Sequence, residues 1–267
     1  MTKVDKKFNF LKPIKNPNLI RLGRNHDGGY VIDSSIIKKC NTLISFGLGS
    51  DWSFELEYIK RNKNVKIYLY DHTVSAYPYI KDILKYGKRF LTLRSKYKDV
   101  LIRLKYLNDY NRFLKSKNII FFKEEITFPN DSRKKADIHK VFSRIETDED
   151  VILKVDIEGS EYKIINQIKM FSKKIKMIII EFHWINQNES SFIDSVKMLK
   201  ENFDIIHVHG NNHHGKLKSG IPIVLEMTFL NKNYTSDYNN EYVNNFPLAG
   251  LDYPCNLYKE DLTFSFE

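Results

Sequence analysis

Thr42-Leu43-Ile44-Ser45-Phe46-Gly47-Leu48-Gly49-Ser50-Asp51-Trp52-Ser53-Phe54-Glu55 reads as a strand, a glycine turn and the opening of a helix. Residues 42–46 are nearly continuous in apolar and β-branched side chains, as a strand covered on both faces requires. Gly47 and Gly49 let a ligand approach the backbone of the turn. Trp52 stands where a dinucleotide fingerprint would place its third glycine, which disfavours pyrophosphate binding.

Outward from that stretch, residues 65–70, 119–122, 151–155 and 177–182 read as further buried parallel strands. Segment 52–60 carries Phe54, Leu56, Tyr58 and Ile59, and segment 162–171 carries Ile164, Ile165, Ile168 and Phe171; both are predicted as helices covering a sheet. Residues 192–203 repeat apolar positions at helical spacing through Ile193, Val196, Leu199 and Phe203. A strand is expected at 204–208, with 222–230 as its hairpin partner. The pattern predicts an α/β fold: a doubly wound, Rossmann-like, mostly parallel sheet of seven strands ending in an antiparallel β-hairpin.

The chain has 267 residues, 42% of them apolar and 13% aromatic, enough for a core and incompatible with disorder over most of its length. No repeat or Pro/Gly-rich linker marks a boundary, so one domain spanning 1–267 is expected. Net charge is +10, much of it in segment 74–118, which is too long for one crossover and is expected to hold two helices with a basic outer face. A solvated face is one reading of that segment; a surface for an anionic substrate or a membrane is the other. No apolar run approaches the roughly 20 residues of a membrane helix, and the first residues lack a secretory signal, so a cytoplasmic location is expected. Cys40 and Cys255 are far apart and read as packing residues, not a disulfide or a thiolate metal site.

Segment 65–70 ends in Asp71, placing a carboxylate where it can accept two hydrogen bonds from a ribose diol. A strand-terminal Asp is also a common helix cap. A nucleoside cofactor without a pyrophosphate cradle points to S-adenosylmethionine. The run Leu153-Lys154-Val155-Asp156-Ile157-Glu158-Gly159-Ser160-Glu161 brings acids together at the end of another strand. Such clustering is costly unless cations, donors or a shared proton compensate, which makes Asp156 and Glu158 functional candidates. Ser160 and Glu161 read as helix-capping residues.

The run L-K-V-D-I-E-G-S-E-Y, preceded by S-F-G-L-G-S-D-W-S-F-E, resembles the FkbM-type S-adenosylmethionine-dependent methyltransferases. The segments R-L-G-R-N-H-D-G-G-Y-V-I (21–32), I-I-E-F-H around Glu181, H-V-H-G-N-N (207–212) and G-L-D-Y-P (250–254) resemble a bacterial, surface-glycan-associated branch of that family. The resemblance implies a class I methyltransferase fold, with Gly47 and Gly49 under the cofactor and Asp71 on its ribose. It also implies O-methylation, with a sugar of a capsule or other surface polysaccharide as the expected acceptor. Asp27 and Tyr30, in the D-G-G-Y turn, are expected to fold over the methionine end, and Glu55 to line the cofactor site.

Methyl transfer to a hydroxyl needs in-line positioning and a group that takes the proton. Asp156, also placed at the cofactor, and His183 are the leading bases. Strand alternation puts Glu181 on the same side as His183. These residues, with His207 or His209, also supply donors for a divalent metal, although no metal is assigned from spacing. Glu158, His207, His209, Asn211 and Asn212 are expected to face the acceptor, and His213 and His214 to lie in an exposed loop. The rival classes are an RNA methyltransferase, motivated by the charge, a noncatalytic cofactor-binding module, and an NAD-dependent oxidoreductase, which the missing third glycine weakens; nucleic acid is not favoured as a partner.

Overall fold

The computed structural model describes residues 1–146, 149–235, 238 and 241–267. Seven strands build the central sheet: β1 (Thr42–Phe46), β2 (Lys66–Tyr70), β3 (Ile119–Phe122), β4 (Val151–Val155), β5 (Ile175–Phe182), β6 (Phe203–Gly210) and β7 (Leu225–Asn231). Their spatial order is β3-β2-β1-β4-β5-β7-β6. Only β7 runs against its neighbours, pairing antiparallel with both β5 and β6. The α/β, mostly parallel seven-stranded sheet expected from the sequence is therefore present.

The helices that matter below are α1 (Ser53–Arg61), α2 (Tyr77–Leu91), α3 (Tyr97–Leu114), α4 (Glu161–Met170) and α5 (Glu189–Leu199). Helix α4 buries Ile164, Ile165 and Ile168 against the sheet. At about 1.5–3 kcal/mol per side chain, that face alone stabilises by roughly 5–9 kcal/mol before chain entropy is counted. Several boundaries differ from expectation: β7 spans Leu225–Asn231 rather than 222–230, and α5 starts at Glu189 rather than 192. Strand β5 begins at Ile175, and Phe203, expected to close the helix now seen to end at Leu199, opens β6 opposite Asn231, where it is fully buried. Strand pairing together with core burial outweighs the helical spacing that Phe203 shares with Leu199.

Alternation along the strands divides the core into two layers. Ile44, Phe46, Val151, Leu153 and Val155 face one layer, while Leu43 and Ile152 face the other. The carboxyl ends of β1, β2 and β4 are tied together, because Gly47 N–H donates to Tyr70 O and Asp156 N–H to Phe46 O. Loops leaving these ends must converge on one edge. A hairpin of Leu19–Leu22 and Tyr30–Asp33 carries its turn over that edge, and the Thr228 hydroxyl of β7 donates to Val31 O of the hairpin. Thr2–Lys3 pairs with Phe264–Ser265, which also pairs with Asn245–Phe246. Cys40 and Cys255 are buried free thiols. Among the described residues no helix is long and apolar enough to cross a membrane.

Candidate active site

A cavity of about 580 Å³ opens at the carboxyl edge, in the size range of small-molecule sites. Gly47, Gly49, Asp71, Asp156, Glu181 and His183 all line it, as do Asp27, Tyr30, Glu55, Glu158 and Asn211. The local backbone explains the floor. Gly47 has φ +76°, and a Cβ there would sit 1.7 Å from Asp156 O. Gly49 has φ +58°, but a Cβ would meet nothing within 4 Å, so open space lies beside its backbone.

Asp71 reaches back to this turn. Its Oδ2 accepts from the N–H groups of Leu48 and Gly49 at 2.9 and 3.0 Å, and its Oδ1 accepts from Thr73 N–H and hydroxyl and from Val74 N–H. Burial opposes ionisation of Asp71, but the Thr73 hydroxyl and the N–H groups of Gly49, Leu48 and Thr73 hold its carboxyl below the usual range. A carboxylate offers about four acceptor sites, so a ribose diol would bind here by displacing a donor, and the rotatable Thr73 hydroxyl moves most readily. Glu55 faces the same space from the first turn of α1. Its Oε1 accepts from the Ser45 hydroxyl and lies 3.7 Å from Lys154 Nζ, while its buried Oε2 has no partner. A buried, unpartnered carboxylate oxygen and the open space beside Gly49 fit a ligand carrying hydrogen-bond donors.

The second half of the cavity is ionic. Tyr30 OH donates to Asp156 Oδ2 at 2.7 Å, leaving Oδ1 turned toward His183 Nε2, 3.8 Å away. Glu158 Oε2 and Glu181 Oε2 lie 3.6 and 3.9 Å from the same nitrogen. Among the described residues no hydrogen bond reaches Nε2, although His183 is 4% exposed. Its other nitrogen, Nδ1, pairs with Glu161 Oε1 at 2.8 Å, and that oxygen also accepts from Ile157 and Gly159 N–H. Burial alone would lower the pKa of His183. Its hydrogen bond to Glu161, together with the charges of Glu181, Glu161 and Asp156, outweighs burial and raises the pKa to about 10. The surrounding carboxylates thus favour the protonated imidazole in the ligand-free site. The sequence reading of His183 as a candidate base did not include the Glu161 carboxylate, which lies against its Nδ1. Glu181 is held well above the usual carboxylate range by burial and by Asp156 and Glu226. Glu226 stands directly opposite it on β7.

His207, His209 and Asn212, expected to face the acceptor, do not line the cavity. His207 Nε2 pairs with Asp252 Oδ1 at 2.8 Å, His209 pairs with Glu226 and Asp261, and the Asn212 amide donates to the carbonyls of Asn256, Lys259 and Glu260. The motifs at 207–212 and 250–254 therefore form a clasp that fastens the C-terminal segment to the edge strands. Asn211 alone of the H-V-H-G-N-N run reaches the cavity, donating to Glu181 Oε1 at 2.8 Å. His213 and His214 are exposed and line the cavity mouth.

Sequence reasoning missed Lys154 and the positioning role of Glu161. Lys154 is 4% exposed within an otherwise apolar strand, and its ammonium donates to Gly47 O at 2.9 Å. A lysine inside a continuous apolar run was the available signal.

The clasp sets a pH prediction. Burial opposes protonation of His209, but Asp261 and Glu226 raise its pKa to about 10, from 6.5. Its stabilising contribution is fully present below about 6.5 and is lost as pH rises toward 10. The unfolding temperature of the wild type should fall across that window, and His209→Gln should be less stable at neutral pH with a flatter alkaline slope. Parallel profiles would contradict this assignment. Asp252→Ala should cost about 1–3 kcal/mol by leaving buried His207 Nε2 without its hydrogen-bond partner, read as a lowered unfolding midpoint.

Residues 124–209 match the family model described as Methyltransferase FkbM domain. No curated protein matches the chain. Among solved structures, the chain is similar to precorrin-6y C5,15-methyltransferase of Geobacter metallireducens GS-15, with 12% identity, 72% of this chain and 80% of that one covered, and a TM-score of 0.36. A fibrillarin/Nop5p complex gives 14% identity, 72% coverage of each chain and a TM-score of 0.39. Mitomycin 7-O-methyltransferase gives 10%, 73% and 50% coverage, and 0.33.

Proposed function

We propose that this chain, whose residues 124–209 match the Methyltransferase FkbM domain, is an S-adenosylmethionine-dependent methyltransferase that methylates a hydroxyl of a sugar or nucleotide sugar, as a cytoplasmic step toward a surface polysaccharide. The supporting observation is that the Gly47–Gly49 turn and the Asp156–His183 cluster line one and the same cavity. When bound, S-adenosylmethionine supplies an electrophilic methyl group. Gly49, Asp71 and Glu55 are the residues that would hold its adenosine, with Asp27 and Tyr30 toward the methionine end.

The protein's own part is to position the acceptor and move its proton. Asp156 lines the cavity and among the described residues its Oδ1 carries no hydrogen bond, so it is the acceptor of the hydroxyl proton. Tyr30 fixes the other oxygen, and His183, oriented by Glu161, sits beside the Asp156 carboxylate. Asn211 and Glu158 are the proposed acceptor contacts.

The unpartnered Nε2 favours a second reading of the same groups. His183, Asp156 and Glu158 offer one donor atom each, all within 4.8 Å of one another, and Glu161 orients the imidazole as buried carboxylates do behind metal-bound histidines. A divalent cation held there would lower the pKa of the acceptor hydroxyl. Titrating Mn²⁺ into the protein by calorimetry, with His183→Ala as control, separates the readings: tight binding lost in the variant selects the cation, and absence of binding selects Asp156 acting alone.

Transfer of labelled methyl groups to nucleotide sugars and glycans tests the function. Cofactor binding with no transfer to any hydroxylated carbohydrate would refute the acceptor class. Asp71→Ala should weaken cofactor binding by at least about tenfold, since two turn N–H groups lose their partner. Unchanged affinity would remove Asp71 from the site.

A further inference from the structure

The α2–α3 hairpin differs from the rest of the surface in two respects at once. Among the described residues nineteen large apolar side chains are exposed, and eleven of them fall between positions 77 and 106. No residue of α2 is buried. Tyr77, Ile80, Leu84 and Leu91 recur at helical spacing and are 67%, 44%, 68% and 82% exposed. They form an outward stripe, whereas Tyr79 and Tyr86 pack inward, against Tyr110 and under the Arg103 guanidinium. Tyr97, Leu101 and Leu104 repeat the arrangement on α3, and Leu93 in the connecting turn is 93% exposed.

The second respect is charge. Positions 77–106 hold nine Lys and Arg against two Asp, in a chain of net charge +10. The ion pairs on either side, Lys66 with Glu146 and Lys135 with Asp131, fall outside the hairpin, and among the described residues none of its nine cations is paired with a carboxylate. Lys81, Lys85 and Lys88 border the stripe on α2 by helical geometry.

These two features together select the partner. An ordinary solvated face has no need of stripes of Leu and Ile. Protein interfaces are depleted in Lys, and two copies of so cationic a hairpin repel each other. Single-stranded RNA binds to aromatic platforms; Leu and Ile make up five of the seven stripe residues, with Tyr77 and Tyr97 only at the helix starts. An apolar stripe flanked by unpaired lysines matches a bilayer carrying anionic headgroups. We propose that the α2–α3 hairpin docks this protein on an anionic phospholipid surface. Its apolar stripes enter the boundary of the acyl chains, and its lysines and arginines lie among the phosphates. Helix α2 starts four residues after Thr73, which lines the cavity, so the docking hairpin leaves directly from the cavity rim.

Flotation of the full chain with vesicles of phosphatidylcholine alone, and with added phosphatidylglycerol, tests this independently of methyl transfer. Binding is expected only to the anionic vesicles and should weaken with salt. Combined substitution of Lys81, Lys85 and Lys88 by Gln should lower partitioning about 100-fold. Leu84→Asp should lower it at least about tenfold while leaving the unfolding temperature unchanged, because the side chain is exposed. No flotation of the wild type at low salt, or variants that float equally well, overturns the proposal. A dimer that Leu84→Asp dissociates, or RNA binding lost in the lysine variant without vesicle binding, assigns the face elsewhere and overturns it as well.

Discussion

Gly47→Ala should be the most damaging single-methyl change in the molecule. The added Cβ would lie 1.7 Å from Asp156 O, at a residue whose φ of +76° already disfavours any side chain. Overpacking costs about 1–3 kcal/mol and the left-handed backbone about 1–2 more. Asp156 and the glycine turn must part, so cofactor binding and turnover should both be lost and the unfolding midpoint should drop. Gly49→Ala provides the control. Its Cβ meets no protein atom within 4 Å, so stability should fall by only about 1–2 kcal/mol while cofactor affinity falls sharply. If both variants bind cofactor like the wild type, the turn is not the cofactor floor.

Asp156→Asn should leave the fold and cofactor affinity nearly intact and reduce turnover by about 10²–10⁴-fold, the range for loss of a general base. An asparagine keeps the shape and can still accept from Tyr30 OH, but cannot take a proton. His183→Ala reads differently. It removes a positive charge beside Asp156 and Glu181 and strands Glu161 in the core, so both rate and stability should suffer. Glu161→Gln is the milder probe of positioning. It weakens the interaction that helps raise the pKa of His183, so a pH–rate profile governed by His183 should shift toward lower pH on its alkaline side. Equal turnover of wild type and Asp156→Asn across pH would exclude Asp156 as the proton acceptor.

Local pattern accounts for the sheet and half of the cavity. Continuous apolar runs identify β1 to β4, and the glycine turn, Asp71 and Asp156 follow those runs immediately, so their places at one edge are implied by parallel strands. Contacts between distant segments were not legible in this way. His207 and His209 occupy a strand beside motif-like residues, yet their partners are Asp252, Glu226 and Asp261, brought near only when the tail folds back. Glu161 looked like a capping acid and does accept backbone N–H groups, but its contact with His183 depends on how β5 lies beside β4. Strand pairing also overrode the helical spacing at Phe203.

The hairpin contributes little to the interior, and only Tyr110 and Phe113, near the end of α3, are buried within its two helices. Cohesion is therefore graded along the chain: amide protons of α2 should exchange with solvent long before those of β4 and β5, and a protease should nick the turn at Leu93 first. The excursion from position 77 to about position 106 could then be shortened or swapped for that of a related chain without rebuilding the sheet, making it a natural place for variation to accumulate.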